Sequence, residues 1–159
     1  MSPATPGPRA LVAGLGNVYR KDDGVGPAVA DHVRRIVHGL TVIGPLFSPF
    51  DLIGLWAGSD LAVVIDAMSS GSPPGTIRLV ELDSPRTVAD EGPSQLGRTS
   101  THGIGVTGVY RLSRATAQAP GRVVVVGVEG SDFGHGVGLT PAVAGAVEET
   151  ASIVATLLA

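Results

Sequence analysis

Three ionisable side chains stand where an alternating strand–helix pattern would bring them to one edge of a sheet: Asp23, Asp66 and His102. Asp23 closes the stretch Leu11-Val-Ala-Gly-Leu-Gly-Asn-Val-Tyr-Arg-Lys-Asp-Asp23, an apolar strand running through a Gly-x-Gly-Asn turn into a paired carboxylate. Asp66 ends the apolar run Leu61-Ala-Val-Val-Ile65, and His102 lies in Ser100-Thr-His-Gly-Ile-Gly105, just ahead of a helical pattern. Open α/β sheets gather their ligands beyond the carboxyl ends of their strands, and the positive end of a helix dipole favours a neutral imidazole. Two carboxylates and one imidazole with open coordination positions suit a borderline divalent metal such as nickel, zinc or iron. A structural zinc would instead close with four ligands, usually including cysteine. A metal held here is therefore expected to be exchangeable or shared with a partner.

Other chemistries are missing their residues. A dinucleotide-binding turn needs G-x-G-x-x-G, but Gly14 and Gly16 are followed by Tyr19 where the third glycine belongs. No G-x-S-x-G surrounds Ser69 or Ser70, and no phosphate-loop signature is present. With no cysteine in the chain, disulfides, thiolate metal sites and a cysteine nucleophile are excluded. Each chosen residue also has a plainer reading. Asp22 or Asp23 could cap the helix that starts at Gly24, Asp66 could serve as a turn or N-cap residue, and His102 could be an idle loop histidine. His135, in a glycine-rich loop, reads as structural or recognition use. Asp31, His32 and His38 read as surface, and Trp56 as core or interface. The shared location of Asp23, Asp66 and His102 is what sets them apart.

The elements that must position these residues follow from periodicity. Ala10–Ala13, Leu40–Ile43, Leu61–Ile65, Thr76–Leu82 and Arg122–Gly127 read as strands. Helical spacing runs from Gly24 through Val25, Val29, Val33 and Ile36, with Pro27 tolerated in the first turn. Further helices are expected over Asp51–Trp56, from about Gly103 to Ala117, and from Pro141 with Val143, Val147, Val154 and Leu157 as the buried stripe. Strands alternating with helices predict an α/β fold, a mostly parallel twisted sheet covered on both faces by right-handed crossovers. Asp83–Thr101, rich in proline and glycine, is long for a connection inside a compact domain and reads as a functional or mobile loop.

The chain's 159 residues fit one domain over 10–159, preceded by a flexible tail over 1–9. Low charge (16%) and a mean hydropathy of +0.32 fit a sheet buried on both faces. Net charge is −3 and the cationic residues, Lys21 and scattered arginines, form no basic patch, so no nucleic-acid partner is expected. No apolar run approaches the roughly 20 residues that span a bilayer, and residues 1–9 lack a signal-peptide core. A cytoplasmic protein with no membrane partner is the expectation.

Taken as a set, Gly-Leu-Gly-Asn, Asp-Asp-Gly-Val-Gly, Val-Val-Ile-Asp-Ala, Thr-His-Gly-Ile-Gly, Val-Gly-Val-Glu-Gly and Gly-Leu-Thr-Pro-Ala-Val resemble a nickel–iron hydrogenase maturation protease, from Ala10 to the C-terminal helix and in that family's order. The resemblance implies a three-layer α/β/α sandwich and an endopeptidase; a monomer is the expectation for its oligomeric state. Its substrate would be the hydrogenase large-subunit precursor, from which it removes a short C-terminal extension once nickel is inserted. It places the family's metal-contacting acid at Asp23, the aspartate of the central strand at Asp66, and the histidine opening the later helix at His102. The nickel would belong to the precursor and act as the recognition signal, and no organic cofactor is implied.

One segment departs from the family. Many relatives carry an Asp-Gly-Gly-Thr-like loop after the second strand, linked with substrate discrimination, whereas this chain has Gly44-Pro-Leu-Phe-Ser-Pro-Phe-Asp-Leu-Ile53, closer to the branch serving soluble, cofactor-coupled hydrogenases. Two rival readings stay open. A non-catalytic scaffold or chaperone would bind a metalloprotein precursor without cutting it. A peptidyl-tRNA hydrolase shares a strand followed by Gly-Leu-Gly-Asn, but would want Pro-Gly after that Asn, where Val18-Tyr19 stands.

Overall fold

In a computed structural model of the chain, residues 9–82 and 105–159 are described. His102, the polar segment 83–101 and residues 1–8 of the expected tail lie outside them. Arg9 is hydrogen-bonded, its N–H donating to Asp60 Oδ2 at 2.7 Å.

Five strands, β1 (Ala10–Leu15), β2 (Thr41–Leu46), β3 (Leu61–Met68), β4 (Ile77–Glu81) and β5 (Arg122–Glu129), form one sheet in the order β2-β1-β3-β5-β4. All neighbours are parallel except β4, which runs antiparallel to β5. The helices are α1 (Val25–Ile36), α2 (Leu52–Trp56), α3 (Val106–Ala115), α4 (Pro141–Ala144) and α5 (Val147–Leu158). The fold class is the α/β architecture expected from the alternating pattern. The central strands β3 and β5 are nearly continuous runs of branched apolar residues, as burial on both faces requires.

Side chains alternate across the sheet and so feed two cores. Leu11, Ala13, Leu15, Val64, Met68, Val123 and Val125 meet Trp56 and Tyr110, from α2 and α3. Val12, Val63, Ile65, Val124 and Val126 meet Val29, Val33 and Val154, from α1 and α5. Trp56 is a core residue: fully buried, it donates its indole N–H to Ser113 Oγ at 3.0 Å and meets the Tyr110 ring edge-on.

Several boundaries differ from the sequence expectation: β2 runs on to Leu46 and β5 to Glu129, and three further differences bear on the site and the core. β1 continues through Gly14 and Leu15 because Gly14 still pairs with Ile65 of β3. β3 does not stop at Asp66; Ala67 and Met68 find partners in Val128 and Glu129, which places Asp66 inside the strand. The C-terminal helix is two helices separated at Gly145–Ala146. Pro141–Leu158 is apolar and 18 residues long, but it carries Glu148 and Glu149 and packs Val143, Ala151 and Val154 into the second core.

The element that places the site is the N-terminus of α1, which lies backbone-on-backbone against β1 and β3. A Cβ on Gly26 would fall against the carbonyl oxygens of Leu15 and Ile65, the latter at 2.5 Å, and one on Gly14 would stand 2.6 Å from the Gly26 carbonyl oxygen. Neither partner is a side chain that could turn away. Gly26→Ala is therefore expected to lower stability by about 3 kcal/mol or more, whereas Gly54→Ala in α2, where a Cβ meets nothing within 4 Å, is expected to gain about 0.5–1 kcal/mol. Urea unfolding of both variants checks the pair; a Gly26→Ala protein as stable as wild type would contradict the close approach.

Candidate functional site

Between β1 and α1 the chain makes a 3-10 turn, Lys21–Gly24, entered through Lys21 at a positive φ of 47°. The turn packs against β3 and carries two carboxylates whose surroundings differ. Neither caps α1: its N-cap is Gly24, and no side chain makes a capping hydrogen bond there.

Asp23 faces the site. It is 8% exposed, and its Oδ2 accepts the Asn17 N–H at 2.8 Å. Its other oxygen accepts no hydrogen bond among the described residues. Asp66 stands on the sheet face shared with Val64 and Met68, and its Oδ1 accepts the Ala67 N–H at 2.8 Å. Burial and the neighbouring negative charge of Asp23 hold the Asp66 carboxyl well above the usual aspartate range, against that one hydrogen bond. The fold thus brings together two of the three residues expected from sequence. The third, His102, is four residues upstream of α3 in the chain and outside the described residues. Among those described, no group of three His, Asp or Glu side chains forms a metal-binding cluster.

Asp22, one residue earlier, faces away from the site and is fully buried. Its Oδ2 accepts the N–H groups of Ser131 (2.9 Å) and Asp132 (3.0 Å) and the Thr140 hydroxyl (2.8 Å), while Oδ1 accepts the Thr140 N–H at 2.7 Å. Burial alone would raise its pKa, but these donors outweigh burial and hold the carboxyl below the ordinary aspartate value. The same loop is stitched to the turn at other points. Arg20 donates from Nη2 to the Phe133 carbonyl at 3.1 Å, Lys21 donates its N–H to Gly136 O at 2.9 Å, and Lys21 Nζ pairs with Asp132 at 2.9 Å. His135 lies in this loop with its side chain exposed, and His38 and Asp31 are exposed as expected.

A further buried carboxylate, not among the residues expected from sequence, lies nearby. Glu129, the last residue of β5 and 2% exposed, stands in register with Met68. It accepts the N–H groups of Ser70 (2.8 Å) and Gly71 (3.1 Å) and the Ser70 hydroxyl (2.8 Å), and so fastens the loop that follows β3. The available signal was the one used for Asp66: an acid closing an apolar strand.

Chemically, two carboxyl groups brought together with one favouring its protonated form can hold and pass a proton, and among the described residues each has an oxygen with no hydrogen-bond donor, open to a cation once Asp66 gives up its proton. A borderline metal would want a nitrogen donor beside them.

The chain matches the family model for hydrogenase maturation protease, HycI, over residues 40–157. It is 30% identical over 135 residues to the hydrogenase expression/formation protein HupD of Thiocapsa roseopersicina, covering 80% of this chain and 58% of that protein. It is 25% identical over 145 residues to the hydrogenase 2 maturation protease of Escherichia coli, covering 88% and 84%. The chain thus spans less than two thirds of HupD but most of the E. coli protein. Among solved structures, the hydrogenase maturating endopeptidase HybD from E. coli superposes with a TM-score of 0.78 at 24% identity, over 94% of this chain and 91% of that one. The maturation protease HybD from Thermococcus kodakarensis superposes with a TM-score of 0.74 at 22% identity, over 94% and 98%. These likenesses establish the fold.

The raised Asp66 pKa has a stability consequence of definite sign. The native state holds this proton more tightly than the unfolded chain, so stability falls as pH rises from the unfolded aspartate pKa of about 3.9 through the higher folded value. Asp66→Asn keeps the acceptor for Ala67 and removes the buried charge. It is expected to raise Tm at pH 7, with the gain vanishing below about pH 4. Thermal unfolding of both proteins across that range checks this; no gain at neutral pH would contradict the burial and repulsion at Asp66.

Proposed function

Because the chain belongs to the hydrogenase maturation protease family, we propose that it is an endopeptidase that removes a C-terminal extension from the large-subunit precursor of a nickel–iron hydrogenase, in the cytoplasm and as a monomer. The observation that carries this reading is the pairing of Asp23 with Asp66 at the carboxyl edge of the sheet, in a chain whose residues 40–157 match the family.

In this reading the metal is part of the substrate. Asp23 and Asp66 present their remaining oxygens to the precursor's nickel, and His102 supplies the nitrogen donor that such an ion prefers. Recognition then depends on nickel because the ion links the protein's donors to the precursor that carries it. The scissile carbonyl, held beside the metal, is polarised toward attack by water. The Asp66 carboxyl favours its protonated form in the free protein and would release that proton on taking up the ion, whose charge the two neighbouring carboxylates would then share.

The test is intact-mass analysis of a cognate precursor, nickel-loaded or nickel-free, after incubation with the protein. Loss of one defined C-terminal peptide from the loaded form alone is expected. Asp23→Asn, Asp66→Asn and His102→Ala are each expected to slow that cleavage by about 100-fold or more while the protein stays folded. A loaded precursor that binds but is never cut would replace this reading with the binding-only one, and cleavage of both forms alike would remove nickel from recognition.

A further inference from the structure

Asp22 has the burial and polarity of a functional carboxylate but none of the openness. A carboxylate offers about four acceptor positions, and Asp22 fills them: three backbone N–H groups, from Ser131, Asp132 and Thr140, and the Thr140 hydroxyl all fall between 2.7 and 3.0 Å. The Ser131 hydroxyl adds a fifth, longer donor at 3.3 Å. It is fully buried, so it meets neither a metal nor a substrate. The loop closes tightly over it; a Cβ on Gly130 would stand 3.0 Å from the Asp22 Cβ. The next residue is Asp23, on the same short turn, and among the described residues its carboxylate is held on the site side by the Asn17 N–H.

We infer that Asp22 is a positioning residue: by fastening the Lys21–Gly24 turn to the 131–140 loop, it sets where the Asp23 carboxylate stands relative to Asp66. This rests on the reading of Asp23 and Asp66 as the reacting pair. The donors come from 109 to 118 residues further along the chain, so the loop after β5 governs a group that belongs to the turn after β1. Two features make the arrangement selective. Asn cannot replace Asp22, because whichever way its amide turns, the NH2 faces a backbone N–H donor on Ser131 and Asp132 or on Thr140. Thr140→Val, by contrast, keeps the backbone and the side-chain shape and deletes only the hydroxyl, so it loosens the clamp without emptying it.

The experiment uses the full chain and the variants Asp22→Asn, Thr140→Val and Thr140→Ser. The first readout is amide hydrogen exchange at Asn17, whose N–H reports directly on the Asp23 carboxylate. Exchange at Asn17 is expected to quicken by about 10-fold or more in Thr140→Val, with the amides of β3 and β5 unchanged and protection restored in Thr140→Ser. The second readout is precursor cleavage, where kcat is expected to fall about 10- to 100-fold, as misplacement of a reacting group does, with KM held within about twofold. If Asp22→Asn does not fold, Thr140→Val alone decides. Unchanged Asn17 protection in a folded Thr140→Val protein overturns the inference, as does loss of protection that spreads evenly over the whole sheet. Local loss at Asn17 in a protein whose wild type never cuts the loaded precursor would leave the positioning role standing and remove the proposed activity instead.

Discussion

Backbone rests on backbone where Gly26 meets the carbonyls of Leu15 and Ile65, and the geometry of the candidate site follows from that contact. A helix normally stands off a sheet by the depth of two side-chain layers. Here glycines at positions 14 and 26 remove those layers, so the start of α1 drops onto the carboxyl ends of β1 and β3. The four-residue turn that leads into α1 is carried down with it, and Asp23 arrives beside Asp66. Any side chain at either glycine would lift the turn away from the sheet.

The buried carboxylates around this contact divide into two kinds, and the division is one of donors supplied. Asp22 and Glu129 are each surrounded by backbone N–H and hydroxyl groups; Asp22 fastens the 131–140 loop to the turn before α1, and Glu129 fastens the loop after β3 to the end of β5. Asp66, also buried, receives one backbone N–H among the described residues and faces a like charge. Burying a carboxyl with too few donors costs stability unless it keeps its proton, and such under-satisfied acids gather where chemistry is done. Both fastening acids draw on the end of β5 and the loop behind it. Segment 129–140, whose Phe133 and Leu139 pack into the same core as α1, therefore supports the turn that carries Asp23, although it contributes no group to the Asp23–Asp66 pair.

Much of this was legible in the chain. The five apolar runs gave the five strands, and the spacing of Val25, Val29 and Val33 gave α1, because burial against a sheet imposes those periods directly. The failures are local and share a cause. β1 and β3 run past their expected ends because pairing partners in neighbouring strands extend them, as Gly127 and Val128 extend β3 past Ile65. The break at Gly145–Ala146 in the C-terminal helix is likewise invisible to apolar spacing, which carries on across it. Asp22 and Asp23 could be read as helix caps from sequence because Asp commonly does that work; the fold gives the cap position to Gly24 instead.

The sequence by itself determined the layering of the fold, the presence of acids at strand ends, the absence of thiol chemistry, and the family set of motifs, since each depends on residue type and short-range spacing. Only the tertiary structure decided which acid does what. Asp22 and Asp23 are adjacent and chemically identical, yet one is saturated by donors from more than a hundred residues away and the other, among the described residues, accepts only the Asn17 N–H. That difference is set by what the fold brings to each side chain. No local pattern encodes it, because the donors are backbone groups that every residue carries.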